Sequence, residues 1–149
     1  MPVAVLVRMD NRGRRAGAVN DARDAREKMP LYIALFDVDS RPRRNFLIEC
    51  VGALTSNHNA IIASNARFVT NADENIVTRT IAAEYRFFSD VYRIFKRMGG
   101  FNQFNGLIGV LNAKLMEEHR FNRLNESVSC EDLDFTQKAY LSGLVGVFV

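Results

Sequence analysis

Tryptophan is absent from the 149 residues, and cysteine, histidine and proline occur only two, two and three times. So few thiols and imidazoles exclude a structural zinc cluster, which needs about four such ligands at close spacing. Cys50 and Cys130 lie far apart in the chain and read as reduced, buried thiols. No apolar run approaches the ~18 residues that read as a membrane span, and no signal-peptide pattern opens the chain. Gly99-Gly100, Gly106 and Gly109 fit neither the P-loop nor the dinucleotide-binding spacing. The expectation from these absences is a soluble, intracellular protein without cofactor or metal and with no membrane as partner.

What is present is a 48% hydrophobic content, enough for a core, and a net charge of +3 with a pI near 9.1. That basic excess permits an anionic partner without demanding one. Residues 1–149 read as a single domain, with 10–29 as a charged arm or insertion and 141–149 as an uncharged, apolar tail.

One stretch carries most of the structural signal. From Asp73 to Met98 the spacing predicts a long helix. Val77, Ile81, Phe88, Val91, Phe95 and Met98 share one side at ~100° per residue, and Ile76, Ala83, Phe87 and Ile94 widen that face. Asn71 and Glu74 suit a capping box, and Gly99-Gly100 suits the far end. Arg79, Arg86, Arg93 and Arg97 form an opposite stripe. The apolar arc is wider than the ~100° of an ordinary surface helix, so covering on two sides is expected. Glu84 falls inside that arc.

Around this helix the chain reads as strands first and helices later. Pro2–Val7 and Leu31–Val38 are strand-like. Phe46–Leu54 and Ala60–Val69 suggest a hairpin about an Asn-rich turn, with a helix starting near Pro42 as the alternative for its first half. Ala16–Lys28 suggests an exposed helix without an apolar face wide enough to dock. Asn102–Arg120 is expected to form a second long helix, in which Leu107 accompanies Phe104, Ile108, Leu111 and Leu115. A short helix follows from about Ser129 to Tyr140. The expected class is α+β: a mainly antiparallel N-terminal sheet of three to five strands against a C-terminal helical hairpin and a short helix.

For chemistry, Asp37 and Asp39 leave an apolar strand one residue apart, where such a pair can bind Mg²⁺ while one carboxylate attacks phosphorus. The pair is similar to the first motif of haloacid-dehalogenase-like phosphatases, and Ser64 falls where their second would be. The match goes no further, because the later acidic pair, Glu131-Asp132, opens a predicted helix instead of ending a strand. His58 and His119 have no partner at a catalytic spacing. Arg12, Arg14 and Arg15, with Arg41, Arg43 and Arg44, form two clusters suited to phosphate or carboxylate.

The reading favoured by sequence is a non-enzymatic subunit of a larger assembly, virion-like or ribonucleoprotein-like. Its expected protein contacts are Glu84, Phe87, Ile94, Leu144, Val147 and Phe148. Nucleic-acid binding through the six arginines is the alternative, and a Mg²⁺-dependent phosphatase at Asp37 and Asp39 the second. Protein partners or self-association are expected in the first case.

Overall fold

The structure is a computed structural model that describes residues 4–106 and 108–149. Met1 to Val3 and Leu107 lie outside the described residues, among them Pro2 and Val3 of the expected first strand and Leu107 of the expected second helix. The elements run α1 (Arg14–Asp24), β1 (Tyr32–Phe36), α2 (Phe46–Ser56), β2 (Ala60–Ser64), α3 (Ile76–Arg97), β3 (Ile108–Asn112), α4 (Ala113–Glu118), α5 (Glu131–Leu141) and β4 (Val145–Phe148). Four strands form one sheet in the order β1-β3-β2-β4. Both pairings of β3 are antiparallel and β4 joins β2 in parallel. The α+β class and the mainly antiparallel sheet are therefore observed.

Two apolar clusters sandwich the sheet. On one side Phe46, Cys50 and Leu54 of α2 meet Ala60, Ala63 and Val110. On the other, Ala16 of α1 and Phe135 and Ala139 of α5 pack with Phe104, Ile61 and Leu111. The central strand β2 is buried at all five positions, which explains its unbroken Ala-Ile-Ile-Ala run.

Three element expectations change. Phe46–Leu54 is helix, not the first strand of a hairpin: its buried residues Phe46, Cys50 and Leu54 recur every four residues, a helical period. Residues 4–7 are exposed and outside any strand. The second helix begins only at Ala113, because Ile108–Asn112 is the strand between β1 and β2. The small residue Gly109 does permit close packing, since a Cβ there would lie 2.8 Å from the ring of Phe104.

The arm is held from within. Asn20 of α1 is buried, donates to the Leu124 carbonyl at 2.9 Å and accepts from the Leu124 amide at 2.9 Å. Arg8 and Arg12 bracket Asp21 at 2.7 and 3.3 Å. So α1 docks through small and polar residues where no wide apolar face exists. The apolar tail likewise becomes β4, burying Leu144 and Phe148 and half-burying Val147. Leu144 and Phe148 are core within this chain, and Val147 packs against that core from its edge.

Helix α3 starts later than Asp73. Asn75 is its N-cap, forming a reciprocal capping box with Thr78, while Asn71 and Glu74 bond each other in the preceding turn. The C-terminal stop is as expected: Gly99 takes a φ of 70° and the Gly100 amide reaches back to the Phe95 carbonyl at 2.7 Å. Its covered side is Thr78, Ala82, Tyr85, Ser89 and Tyr92, spaced alternately four and three. Tyr92 stacks on Phe148 of β4 at 5.6 Å and Tyr85 lies under the Arg67 guanidinium at 4.6 Å. The apolar arc faces outward.

Candidate active site

The carboxyl end of β1 carries Asp37, followed in a turn by Asp39; the Ser40 amide closes the turn onto the Asp37 carbonyl at 3.0 Å. Turn composition alone explains why acids stand here. What it does not explain is their company. Arg15, the second residue of α1, places Nη2 3.2 Å from Asp37 Oδ1. A third carboxylate arrives from α5. Asp132 sits in its acidic first turn, where the helix dipole favours negative charge.

Gly106 marks where these groups converge. It is buried, with a φ of 72°, a conformation that costs a residue with a Cβ. A Cβ built there would lie 2.8 Å from Asp132 Oδ2 and 3.1 Å from Arg15 Nη1. The missing side chain therefore lets Arg15 and Asp132 share the space beside Asp37. Asp132 is oriented by its own helix: its Oδ1 accepts from the Leu133 amide at 2.8 Å. Thr136 Oγ1 donates to the Asp132 carbonyl at 2.6 Å and accepts from the Phe104 amide at 3.1 Å, fixing the loop that leads to Gly106.

Two hollows open on either side of Asp37. One, of about 690 Å³, runs between α1 and β1 past Arg15, Val19, Arg23, Ile33 and Phe36. The other, of about 660 Å³, is lined by Asp39, Arg41, Arg43, Phe68 and Tyr85. Both volumes lie within the range of small-molecule sites.

Of the six arginines expected to meet an anion, Arg15, Arg41 and Arg43 flank this strand end. Arg43 also donates to Asn65 Oδ1 at 3.2 Å and lies 5.3 Å from the Phe68 ring centre. Arg44 is exposed in the turn before α2. Arg12 is spent on Asp21 and Glu126, and Arg14 donates to Ser129 at 2.9 Å. Asn20 and Arg123 hold the Glu126 carboxyl below its ordinary range by hydrogen bonding, Asn20 contributing most. These arginines are interleaved with acids, so they make no continuous basic track. Glu84, Phe87 and Ile94 are exposed on α3 and line neither hollow.

Asp132 and Gly106 were not read as site residues from sequence. The acidic start of α5 is visible there, but nothing local connects it to Asp37. Their meeting depends on β3 lying beside β1 and on α5 packing behind the sheet. Among the described residues no group of three or more His, Cys, Asp or Glu side chains forms a metal cage.

No family model matches the chain. Curated relatives do. It is 33% identical, over 95% of its length, to the probable glucomannan 4-beta-mannosyltransferase 11 of Arabidopsis thaliana. With glucomannan 4-beta-mannosyltransferase 1 of Oryza sativa it shares 28% identity over 99% of its length, and with the probable enzyme 7 of the same plant 26% over 99%. The chain spans between a quarter and a third of these relatives. Similarity along nearly the whole chain to proteins named as glycosyltransferases overturns the expectation of a non-enzymatic assembly subunit. It equally overturns nucleic-acid binding through the arginine clusters and phosphatase chemistry at Asp37 and Asp39. The mixed sheet likewise departs from the parallel one that phosphatase family requires.

Proposed function

We propose that this chain carries the donor site and reacting groups of a glycosyltransferase, moving a sugar such as mannose from a diphosphate-activated donor onto a hydroxyl of a growing glycan. The convergence of Asp37, Arg15 and Asp132 around Gly106 carries this reading; the printed activity of the relatives supports it. Residues 1–149 are taken as one domain of that enzyme.

Sugar transfer needs three things: a grip on a leaving diphosphate, a base for the attacking hydroxyl, and a wall that keeps water out. Asp37 and Asp39 are hard oxygen donors, partly or fully exposed, beside hollows that admit a ligand. They suit a divalent cation that arrives with the diphosphate, since Mg²⁺ is commonly held by one or two carboxylates plus substrate phosphates. Such a cation would neutralise charge building on the leaving group. Arg15 pairs with Asp37 in the free protein and in the reaction offers its guanidinium to the diphosphate, a bidentate match. Asp132 Oδ2, turned toward Gly106 and Arg15, is the carboxylate we assign to the acceptor hydroxyl proton. Gly106, having no side chain, lets Asp132 and Arg15 come this close together.

The decisive measurement is calorimetric binding of GDP and UDP to the purified chain with and without Mg²⁺ or Mn²⁺. Cation-dependent binding that Asp37→Asn and Asp39→Asn abolish, with the fold retained by circular dichroism, is the expected result. Cation-independent binding, or binding indifferent to both substitutions, overturns the reading. Asp132→Asn is expected to keep nucleotide binding while removing mannosyl transfer in the longer enzyme.

A further inference from the structure

Helix α3 packs onto its own chain with the wrong side for a core helix. The covered seam is Thr78, Ala82, Tyr85, Ser89 and Tyr92, while Ile76, Val77, Phe87, Ile94 and Met98 remain 72%, 62%, 64%, 53% and 76% exposed. A contiguous outward stripe of this size on one helix marks an interaction site. The charge beside it says what covers it. Arg79, Arg86, Arg93 and Arg97 run along one flank of the exposed stripe, and with Lys96 they face only Glu84 and Asp90 as acids on the helix. Asp90 is already paired with Arg93 at 2.8 Å. A strongly two-faced helix with aromatic residues on one side, a basic flank and little overall hydrophobicity is the signature of one that lies in a bilayer interface.

We propose that α3 is an interfacial anchor, lying along an anionic lipid surface with Phe87, Phe88 and Phe95 in the acyl boundary and its arginines among the headgroups. This gives up the expectation that no membrane is a partner. A second copy of the chain fits the same face less well, because antiparallel pairing of two such helices brings their basic flanks to one edge and either pairing buries Glu84. The covered Tyr85 and Tyr92 tie the helix to β4 and to the 66–70 loop, so the anchor sets the orientation of the domain on the surface. Glu84 lies near the middle of the outward stripe at ~100° per residue. A carboxylate there opposes insertion, so the site holds the protein reversibly.

The test is co-sedimentation of the 149-residue chain with phosphatidylcholine vesicles, with and without about a third phosphatidylserine. Each basic residue near an anionic surface strengthens binding, together by about tenfold or more over neutral vesicles. Replacing Phe87 and Phe95 together by Ser is expected to weaken binding by at least about tenfold. Phe87 is 64% and Phe95 46% exposed, so the fold is expected to survive, as a circular dichroism melt will verify. Glu84→Gln is expected to tighten binding several-fold on neutral as well as on anionic vesicles, whereas a merely electrostatic contact would tighten only on the anionic ones. Absent sedimentation, or binding unchanged in the phenylalanine variant or weakened by Glu84→Gln, overturns the proposal. So does a dimer in light scattering that the phenylalanine variant dissolves while vesicles are ignored, which would make the face a protein contact.

Discussion

Arg15 Nη2 stands 3.2 Å from Asp37 Oδ1, joining the first turn of α1 to the end of β1. Both side chains are about a third exposed, so the pair adds at most about 1 kcal/mol to folding. Its weight lies in what it positions. Asp37 lines both hollows and Arg15 one of them, so the pair stands where the proposed diphosphate would lie.

Arg15→Met is therefore expected to shift the melting temperature little while weakening Mg²⁺-dependent GDP or UDP binding by about tenfold. Arg15→Lys restores the charge without the planar fork and should recover only part. Calorimetric titration of both variants, with a thermal melt of each, distinguishes a binding role from a structural one.

Gly106→Ala meets two penalties at once. The backbone is left-handed, and the new Cβ would sit 2.8 Å from Asp132 Oδ2. A stability loss of about 1 kcal/mol or more is expected from the conformation. The larger effect should be on sugar transfer, since Asp132 and Arg15 are the atoms displaced. A variant that melts lower yet transfers at the native rate would show that this glycine serves only the turn.

Asn20→Ala leaves the buried amide and carbonyl of Leu124 without partners. Each such group costs about 1–3 kcal/mol, so a marked fall in chemical-denaturation midpoint is expected. Hydrogen exchange should locate the loosening in α1 and around residue 124, while β2 keeps its protection.

Cys50 and Cys130 should differ sharply toward iodoacetamide. Burial, helped by the nearby Glu49 carboxylate, pushes the Cys50 thiol from 9.0 up to about 11, whereas Cys130 is exposed. Native protein should label once, and unfolded protein twice. The raised value also sets a pH dependence. Between about pH 9 and 11 the folded state keeps a proton that the unfolded chain releases, so this contribution is intact below pH 9 and lost as pH rises. Cys50→Ala should remove that part of the alkaline slope in denaturant titrations.

Parts of this molecule are legible from local pattern alone. The β1 and β2 strands, the stop of α3 at Gly99 and the short final helix all follow from periodicity and terminal residues. Phe46–Leu54 was open to two readings because a short apolar run does not declare its period; only the packing of Phe46, Cys50 and Leu54 onto one face of β2 and β3 selects the helix. Ile108–Asn112 shows the opposite case. Its apolar spacing suits a helix, but a gap between two strands is filled by backbone hydrogen bonds that only a strand supplies, and tertiary context overrides local pattern.

The site divides in the same way. Asp37 and Asp39 stand out by themselves, as a close acidic pair at a strand end. Asp132, Arg15 and Gly106 gain meaning only through the sheet order β1-β3-β2-β4, which carries distant segments to one strand end. Likewise, the sequence determines that α3 has an apolar face too wide for an ordinary surface helix. Which face turns inward was a tertiary decision: Phe148 and Arg67 offered partners for Tyr92 and Tyr85, and the apolar side was left outside.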